Sequence, residues 1–288
     1  MPMPPEFLNL GLIGFPVGHS LSPQLHHAAL RAMGLAGEYR LYAIDPLPAG
    51  EPALAERVGQ LRDGKLHGLN VTIPHKQSVL PLLDERTDLV LRTGSANTLF
   101  IQDGRLVGDT TDVPGFLDDL HLWLPPGACA RRRVLVLGAG GSARAVVVAL
   151  HEAGWQVILT TRRTEQAEQL AASLGIALEV IPLEPDELAR VADIDLVVNT
   201  TPVGMHPHPD ASPWPDEIGF PAGAAIYDLI YNPAETLLLR QARQSGLPAR
   251  NGLGMLVGQA ALSLERWTGQ PVPREAMWGA VQKQSNEV

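Results

Sequence analysis

The sequence predicts an α/β protein of two domains, on three observations. Short apolar runs alternate with helix-patterned segments over most of the 288 residues, the signature of stacked βα units and a largely parallel sheet. One apolar run, residues 133–137, opens directly onto Gly138-Ala139-Gly140-Gly141-Ser142-Ala143, a glycine turn of the dinucleotide-binding kind with an amphipathic helix behind it. Another lies in Gly68-Leu69-Asn70-Val71-Thr72-Ile73-Pro74-His75-Lys76. Residues two apart on a regular strand share a side, so this segment delivers an amide, a hydroxyl and an ammonium to one mouth.

Taken in order, the pattern predicts strands near 9–14, 39–44 and 68–73 and helices near 23–33, 51–62 and 76–82. Residues 97–101 and 105–108 flank Gln102-Asp103-Gly104, a hairpin turn because Asp-Gly accepts positive φ. The first sheet is therefore mixed, though mostly parallel. A Pro/Gly-rich stretch, Leu124-Pro125-Pro126-Gly127, precedes strands near 133–137, 156–160, 177–181, 195–199 and 224–228. Helices near 142–153, 165–174 and 185–191 fill the gaps, the rhythm of a doubly wound, Rossmann-like fold. From 255 to 284 apolar residues recur at spacings of three and four, so the C-terminus is helical. It is expected to return to the first domain, where its apolar face is covered. The expected boundaries are 1–111 with 252–288 for the first domain and 112–251 for the second.

Composition sets the outer limits. Hydrophobic residues make up 45% and charged residues 18%, an ordinary globular balance. A net charge of −9 argues against a nucleic-acid footprint. The single cysteine, Cys129, excludes an intramolecular disulfide and fits a reducing compartment. Residues 1–6 carry no targeting pattern, and no apolar run reaches the roughly 18 residues of a membrane span, so the expected location is cytoplasmic. No His/Cys/Glu spacing suggests a metal, and His206-Pro207-His208 reads as surface in a Pro-rich loop.

Around the glycine turn, Gly138, Ala139, Gly140, Gly141, Ser142 and Ala143 are the candidate cofactor contacts. Glycines let the backbone approach a pyrophosphate, and the following helix offers free N–H groups and its positive dipole end. A tight βα turn without a ligand is the bland alternative. The next strand ends Leu159-Thr160-Thr161-Arg162-Arg163-Thr164, with no acid where an NAD-selective fold binds the ribose 2′-hydroxyl. Arg162 and Arg163 suit a 2′-phosphate through charge-assisted contacts. The alternative, a solvated pair, sets two cations against a helix N-terminus. The expected cofactor is NADP.

Between the first strand and the first helix runs Gly14-Phe15-Pro16-Val17-Gly18-His19-Ser20-Leu21-Ser22-Pro23. Ser22 is expected to cap the helix with Pro23 at its first position. That leaves Ser20 unexplained. Two hydroxyls at a helix N-terminus make a compact carboxylate receptor.

The order of these segments resembles the shikimate dehydrogenase family over about residues 10–265. Matching pieces are Gly14-x-Pro16-x-x-His19-Ser20-x-Ser22-Pro23, Asn70-Val71-Thr72-x-Pro74-x-Lys76, Asn97-Thr98 and Gly108-Asp109-x-Thr111-Asp112-x-x-Gly115-Phe116. The glycine loop follows, then Asn199-Thr200-Thr201-Pro202-x-Gly204-Met205, Tyr227-Asp228-x-x-Tyr231-Asn232-Pro233 and Gly252-Leu253-Gly254-Met255-Leu256-x-x-Gln259. Ala96 and Thr110 depart from the family's valine and asparagine.

The resemblance implies an NADP-dependent interconversion of 3-dehydroshikimate and shikimate on the route to chorismate and the aromatic amino acids. It implies that Ser20 and Ser22, with Tyr231, hold the substrate carboxylate, and that Asn70, Thr72, Asn97, Asp112 and Gln259 bind ring hydroxyls. Lys76 and Asp112 would form the catalytic pair, while Arg162, Arg163, Thr164, Thr200, Met205 and Gly252 would join the glycine loop around NADP. Chemistry supports Lys76 independently, because ketone reduction needs a proton at oxygen as well as a hydride at carbon; a solvated first-turn lysine is the bland reading. Two other readings stand beside this one. The first is a quinate/shikimate dehydrogenase of broader specificity, and the second is a non-catalytic dinucleotide-binding regulator, against which the presence of both Lys76 and Asp112 counts. The expected partners are small molecules, with no nucleic acid or membrane, in a monomer or homodimer.

Overall fold

The computed structural model describes residues 5–125, 127–191 and 193–282. Its elements run in chain order β1 (Leu8–Gly14), α1 (Ser22–Ala32), β2 (Gly37–Ala43), α2 (Glu51–Arg62), β3 (Gly68–Val71), β4 (Glu85–Arg86) and α3 (Asp88–Thr93). There follow β5 (Thr98–Gln102), β6 (Arg105–Asp109), α4 (Asp112–Trp123), β7 (Arg133–Leu137), α5 (Gly141–Glu152), β8 (Gln156–Thr161) and α6 (Thr164–Leu174). The rest are β9 (Glu179–Pro182), α7 (Pro185–Arg190), β10 (Leu196–Asn199), β11 (Ala225–Asp228), α8 (Leu237–Gln244), β12 (Ala249–Asn251), α9 (Leu253–Thr268) and α10 (Arg274–Gln282). The chain forms two compact units that divide after Gly115 and again after Met255, so the first unit is built from both ends of the sequence.

The first unit holds a mixed sheet in the order β2-β1-β3-β5-β6-β4. β1 pairs in parallel with β2 and β3, whereas β5 is antiparallel to both β3 and β6. Asp103 and Gly104 both take positive φ, 51° and 76°, which fits the twist of the β5–β6 hairpin. Leu54, Val58 and Leu61 of α2, spaced four and three, pack with Ile13, Leu69, Val71 and Leu99 of the sheet.

The second unit holds a sheet in the order β9-β8-β7-β10-β11-β12, parallel throughout. Counted by appearance within the unit this is 3-2-1-4-5-6, the doubly wound order. Val134 to Leu137 are all buried, as are Leu196 to Asn199, the continuous apolar reading of strands covered on both faces. Helix α5 buries every residue from Ala145 to Leu150, and α8 adds Leu238, Leu239 and Ala242 to the core.

The structure corrects several sequence expectations. Residues 76–82 do not form an α-helix. Tight turns lead instead into a 3₁₀ turn, Leu80–Leu82, because Pro81 has no N–H to give an α-helix begun at Lys76. Helix α1 starts at Ser22 with Leu21 in the cap position and no side-chain cap. The C-terminal helical stretch is two helices, α9 and α10, and its expected last residues, 283 and 284, lie outside the described residues, as does Pro126. Helices α3, α4 and α8 and strands β4, β6 beyond Gly108, and β12 extend what the pattern predicts.

Candidate active site

In the first unit, Lys76 lies just past β3, where two contacts fix the loop. Its carbonyl accepts the Ala96 N–H at 2.9 Å, which sets Lys76 beside the chain entering β5. Its Nζ donates to Asp112 Oδ2 at 2.5 Å, with the two side chains only 9% and 6% exposed. Asp112 opens α4, where a carboxylate also complements the helix dipole. Its other oxygen accepts from Asn97 Nδ2 at 2.9 Å. Asn97 Nδ2 is also 3.3 Å from Gln259 Oε1, so α9 reaches the same cluster. Gly115 makes that approach possible: a Cβ there would lie 2.8 Å from the Gln259 backbone N.

The structure brings Lys76, Asp112, Asn97 and Gln259 together in direct contact. Asn70 is one step removed. Its Oδ1 accepts from Tyr39 Oη at 2.8 Å, and its Nδ2 donates to Asn97 O at 3.0 Å and to Ser263 Oγ at 2.9 Å. Thr72 is half-buried and lies past the last strand residue, Val71, so strand regularity does not set its direction. Its N–H is held by Ile13 O at 2.8 Å, and its methyl closes on Gly14, where a Cβ would come within 2.3 Å. That contact ties the loop after β3 to the loop after β1.

Ser20 and Ser22 sit on that first loop. Ser20 Oγ accepts the Ser22 N–H at 3.2 Å and lies 3.1 Å from Ser22 Oγ, donating to it. The upstream hydroxyl thus holds the first helical N–H, which explains why the helix begins at Ser22 without Ser22 capping it. Tyr231 belongs to the second unit, half-buried in the loop after β11.

Also in the second unit, the glycine loop and Thr200 meet where the strand order reverses, past the ends of β7 and β10, the crevice that takes ligands in doubly wound sheets. Gly138 has φ +107°, and a Cβ on it would lie 2.8 Å from Thr200 Oγ1. Gly140 opens on free space and precedes α5 with no side-chain cap. Ala139, Gly141 and Ser142 are half-buried around it, and Ala143 is fully buried. Arg162 and Arg163 are exposed just past β8, in a turn where Thr161 Oγ1 accepts the Arg163 N–H at 2.9 Å and donates to Arg163 O at 3.0 Å; Thr164 begins α6. Open backbone, uncapped helix amides and two exposed guanidiniums fit a dinucleotide with a 2′-phosphate. Met205 is exposed beyond β10. Gly252 lies so close to the backbone of Leu229 that a Cβ on it would come within 2.1 Å of the Leu229 carbonyl oxygen.

Behind the loop, Asp228 at the end of β11 is fully buried. It accepts from Asn199 Nδ2 (2.9 Å), the Ile230 N–H (3.1 Å) and Thr236 Oγ1 (2.6 Å). Burial outweighs these bonds and pushes its carboxyl up to about 6. Burial likewise pushes the Cys129 thiol up. Among the described residues no group of three His, Cys, Asp or Glu could hold a metal ion, and no helix is long and apolar enough to cross a membrane.

Comparison with known proteins places this geometry. Residues 12–99 match the shikimate dehydrogenase substrate binding domain, 126–205 the shikimate/quinate 5-dehydrogenase model and 252–282 the shikimate 5′-dehydrogenase C-terminal domain. Over 93% of its length the chain is 41% identical to shikimate dehydrogenase (NADP(+)) of Shouchella clausii (strain KSM-K16), covering 96% of that protein. The chain belongs to the shikimate dehydrogenase family. A solved family structure, shikimate 5-dehydrogenase from Thermus thermophilus in complex with NADP(H) and shikimate, is 38% identical with a TM-score of 0.82, over 96% of this chain and 99% of that one. Quinate dehydrogenase from Corynebacterium glutamicum in complex with NAD is 31% identical with a TM-score of 0.84, over 96% and 99%.

Three polar residues of the cluster escaped the sequence reading of the site: Thr98, Thr111 and Ser263. Thr98 and Thr111 adjoin Asn97 and Asp112 in sequence. Ser263 lies four residues after Gln259, hence on the same helix face, and that spacing was the available signal.

Proposed function

We propose that this protein is a shikimate dehydrogenase, catalysing the reversible NADPH-dependent reduction of 3-dehydroshikimate to shikimate in aromatic amino acid biosynthesis. The observation that carries the reading is the buried Lys76–Asp112 pair at 2.5 Å, steadied by Asn97. A lysine ammonium held this way has a fixed direction and little competing water, the two needs of a proton donor to a ketone oxygen. NADP(H), when bound, supplies or accepts the hydride.

In the reducing direction Lys76 Nζ gives its proton to the carbonyl oxygen, and in the reverse direction it takes one from the hydroxyl. Asp112 holds the ammonium and accepts from a neighbouring ring hydroxyl. Asn97, Gln259, Asn70 and Thr72 hold the ring hydroxyls, either directly or, for Asn70, by fixing Asn97. Ser20 and Ser22, with Tyr231, take the carboxylate. The loop from Gly138 to Ala143 with Thr200, Met205 and Gly252 holds the dinucleotide, and Arg162, Arg163 and Thr164 receive its 2′-phosphate. With small-molecule reactants and a single cysteine, the enzyme acts in the cytoplasm as a monomer or homodimer, with no nucleic-acid partner.

The likeness to a quinate dehydrogenase favours one rival, a broader quinate/shikimate enzyme. Quinate adds a tertiary hydroxyl at the carboxylate-bearing carbon, so the choice lies around Ser20, Ser22 and Tyr231. Steady-state kinetics with shikimate or quinate, each with NADP or NAD, test the proposal. The expected result is the highest kcat/KM for shikimate with NADP. A preference for quinate with NAD, or no turnover with any pair, would overturn it.

A further inference from the structure

Asn97 can serve Asp112 only one way round. Its Oδ1 lies 2.8 Å from the Thr111 backbone N–H, a group that only donates, so Nδ2 must be the end that faces the carboxylate. The flipped amide would set two donors against each other at Thr111 and two acceptors at Asp112. Oδ1 also accepts from Thr98 Oγ1 at 2.9 Å, and Nδ2 lies 3.0 Å from Thr111 Oγ1. Both threonine hydroxyls converge on one atom, Ser263 Oγ, at 2.8 Å and 3.1 Å.

Ser263 is fully buried on α9. Its Oγ also receives Asn70 Nδ2 at 2.9 Å and donates to Gln259 O at 2.9 Å. A hydroxyl has one proton and two lone pairs, so with its proton on Gln259 O the lone pairs take Asn70 Nδ2 and only one of the two threonine hydroxyls. The Thr98 proton is committed to Asn97 Oδ1, so it is the Thr111 hydroxyl that donates to Ser263 Oγ, which turns a Thr111 lone pair toward Asn97 Nδ2. The helix cannot slide to relax this junction: about one turn on, Arg266 Nε meets Asp109 Oδ2 at 2.8 Å and Trp267 Nε1 donates to Leu99 O at 3.2 Å.

We propose that Ser263 is a positioning residue for the proton-transfer step. It acts through Thr111 on Asn97, which presents Nδ2 to Asp112 and so fixes the direction of Lys76. The inference rests on the proposed catalytic role of Lys76 and Asp112. A mere helix-docking role would lower stability and leave the pH dependence of turnover alone.

The test is steady-state kinetics with shikimate and NADP on Ser263→Ala and Ser263→Cys, each alone and combined with Asp112→Asn. Both single variants are expected to lower kcat by about tenfold, the factor carried by one neutral hydrogen bond. They should also displace the pH profile of kcat and leave the KM for NADP unchanged. With Asp112→Asn already present, either change should cost less than about twofold, because the path to Lys76 is already broken. Wild-type kcat and pH profile in either folded variant, or losses that multiply in full, would overturn the proposal. Ser263→Cys keeps the side-chain volume and decides the matter if Ser263→Ala does not fold. Lys76→Met, assayed alongside, separates the two ideas: an active Lys76→Met enzyme sinks the catalytic reading, whereas an inactive one with wild-type Ser263 variants sinks this inference alone.

Discussion

Replacing Asp228 by Asn should stabilise this protein at pH 8 and stop doing so near pH 4.5. The carboxyl moves from 3.8 to about 6 on folding. Between those values the folded chain binds the extra proton, so the unfolding free energy falls as pH rises through the window. Above it the penalty is present in full, and about two pK units correspond to about 3 kcal/mol. An amide fits the same partners: its oxygen accepts from Asn199 Nδ2 and the Ile230 N–H, and its NH₂ faces Thr236 Oγ1. What is lost is the acceptor for the Thr236 hydroxyl proton, a cost of about 1 kcal/mol. The net gain at pH 8 is about 2 kcal/mol. At about 3 °C per kcal/mol for a unit of this size, the melting temperature should rise by about 6 °C. Calorimetry of both proteins from pH 4.5 to 8 checks this. Other titrations, such as that of His26, which burial and His27 push down to about 3, act with the opposite sign but cancel in the difference. A gap between the two melts that does not change with pH would refute the reasoning.

Further outcomes follow from the proposed site. Lys76→Met should depress turnover by about 10²–10⁴-fold while NADP affinity, read by fluorescence titration, survives; Asp112→Asn should slow turnover and weaken substrate as well, with losses that do not multiply in the double variant. Arg162→Ala with Arg163→Ala should cut the preference for NADP over NAD by about tenfold or more, from the loss of charge-assisted phosphate contacts, and equal weakening with both cofactors would exclude that role. Ser20→Ala and Ser22→Ala should chiefly raise the KM for shikimate, because a carboxylate contact does not change during hydride transfer; unchanged KM in the double variant counts against it.

The parts of the fold that read directly from the sequence are those with strong local signals. The apolar runs of β7, β8 and β10, the helical spacing of α2 and the Asp103-Gly104 turn each carry their own physics. Helix α4 has no such signal, since Pro114 and Gly115 stand in its first turn; Pro is tolerated there, and the glycine is needed for the approach of α9. Lys76 reads as helical from its neighbours alone, and only the weight of Pro81 five residues on turns that stretch into tight turns. In the candidate site, Lys76 and Asp112 stand out by residue type and motif, but their contact depends on tertiary structure. The hydroxyls of Thr98, Thr111 and Ser263 become neighbours only through the β5–β6 register, which sets Thr98 opposite Asp109, and through a helix more than 150 residues away in sequence. No local pattern encodes such a junction.

Both ends of the chain build the first unit, and this sets a timetable for its synthesis. Asn70, Asn97, Thr98 and Thr111 leave the ribosome early, yet their partners Gln259 and Ser263 follow only after the 140-residue insertion from Phe116 to Met255. At about 5–20 residues per second, that is a wait of about 7–28 s with buried-type polar groups still facing water or a chaperone. The polar cluster of the first unit therefore stays incomplete until α9 emerges, and the second unit has time to fold alone before α9 closes the first.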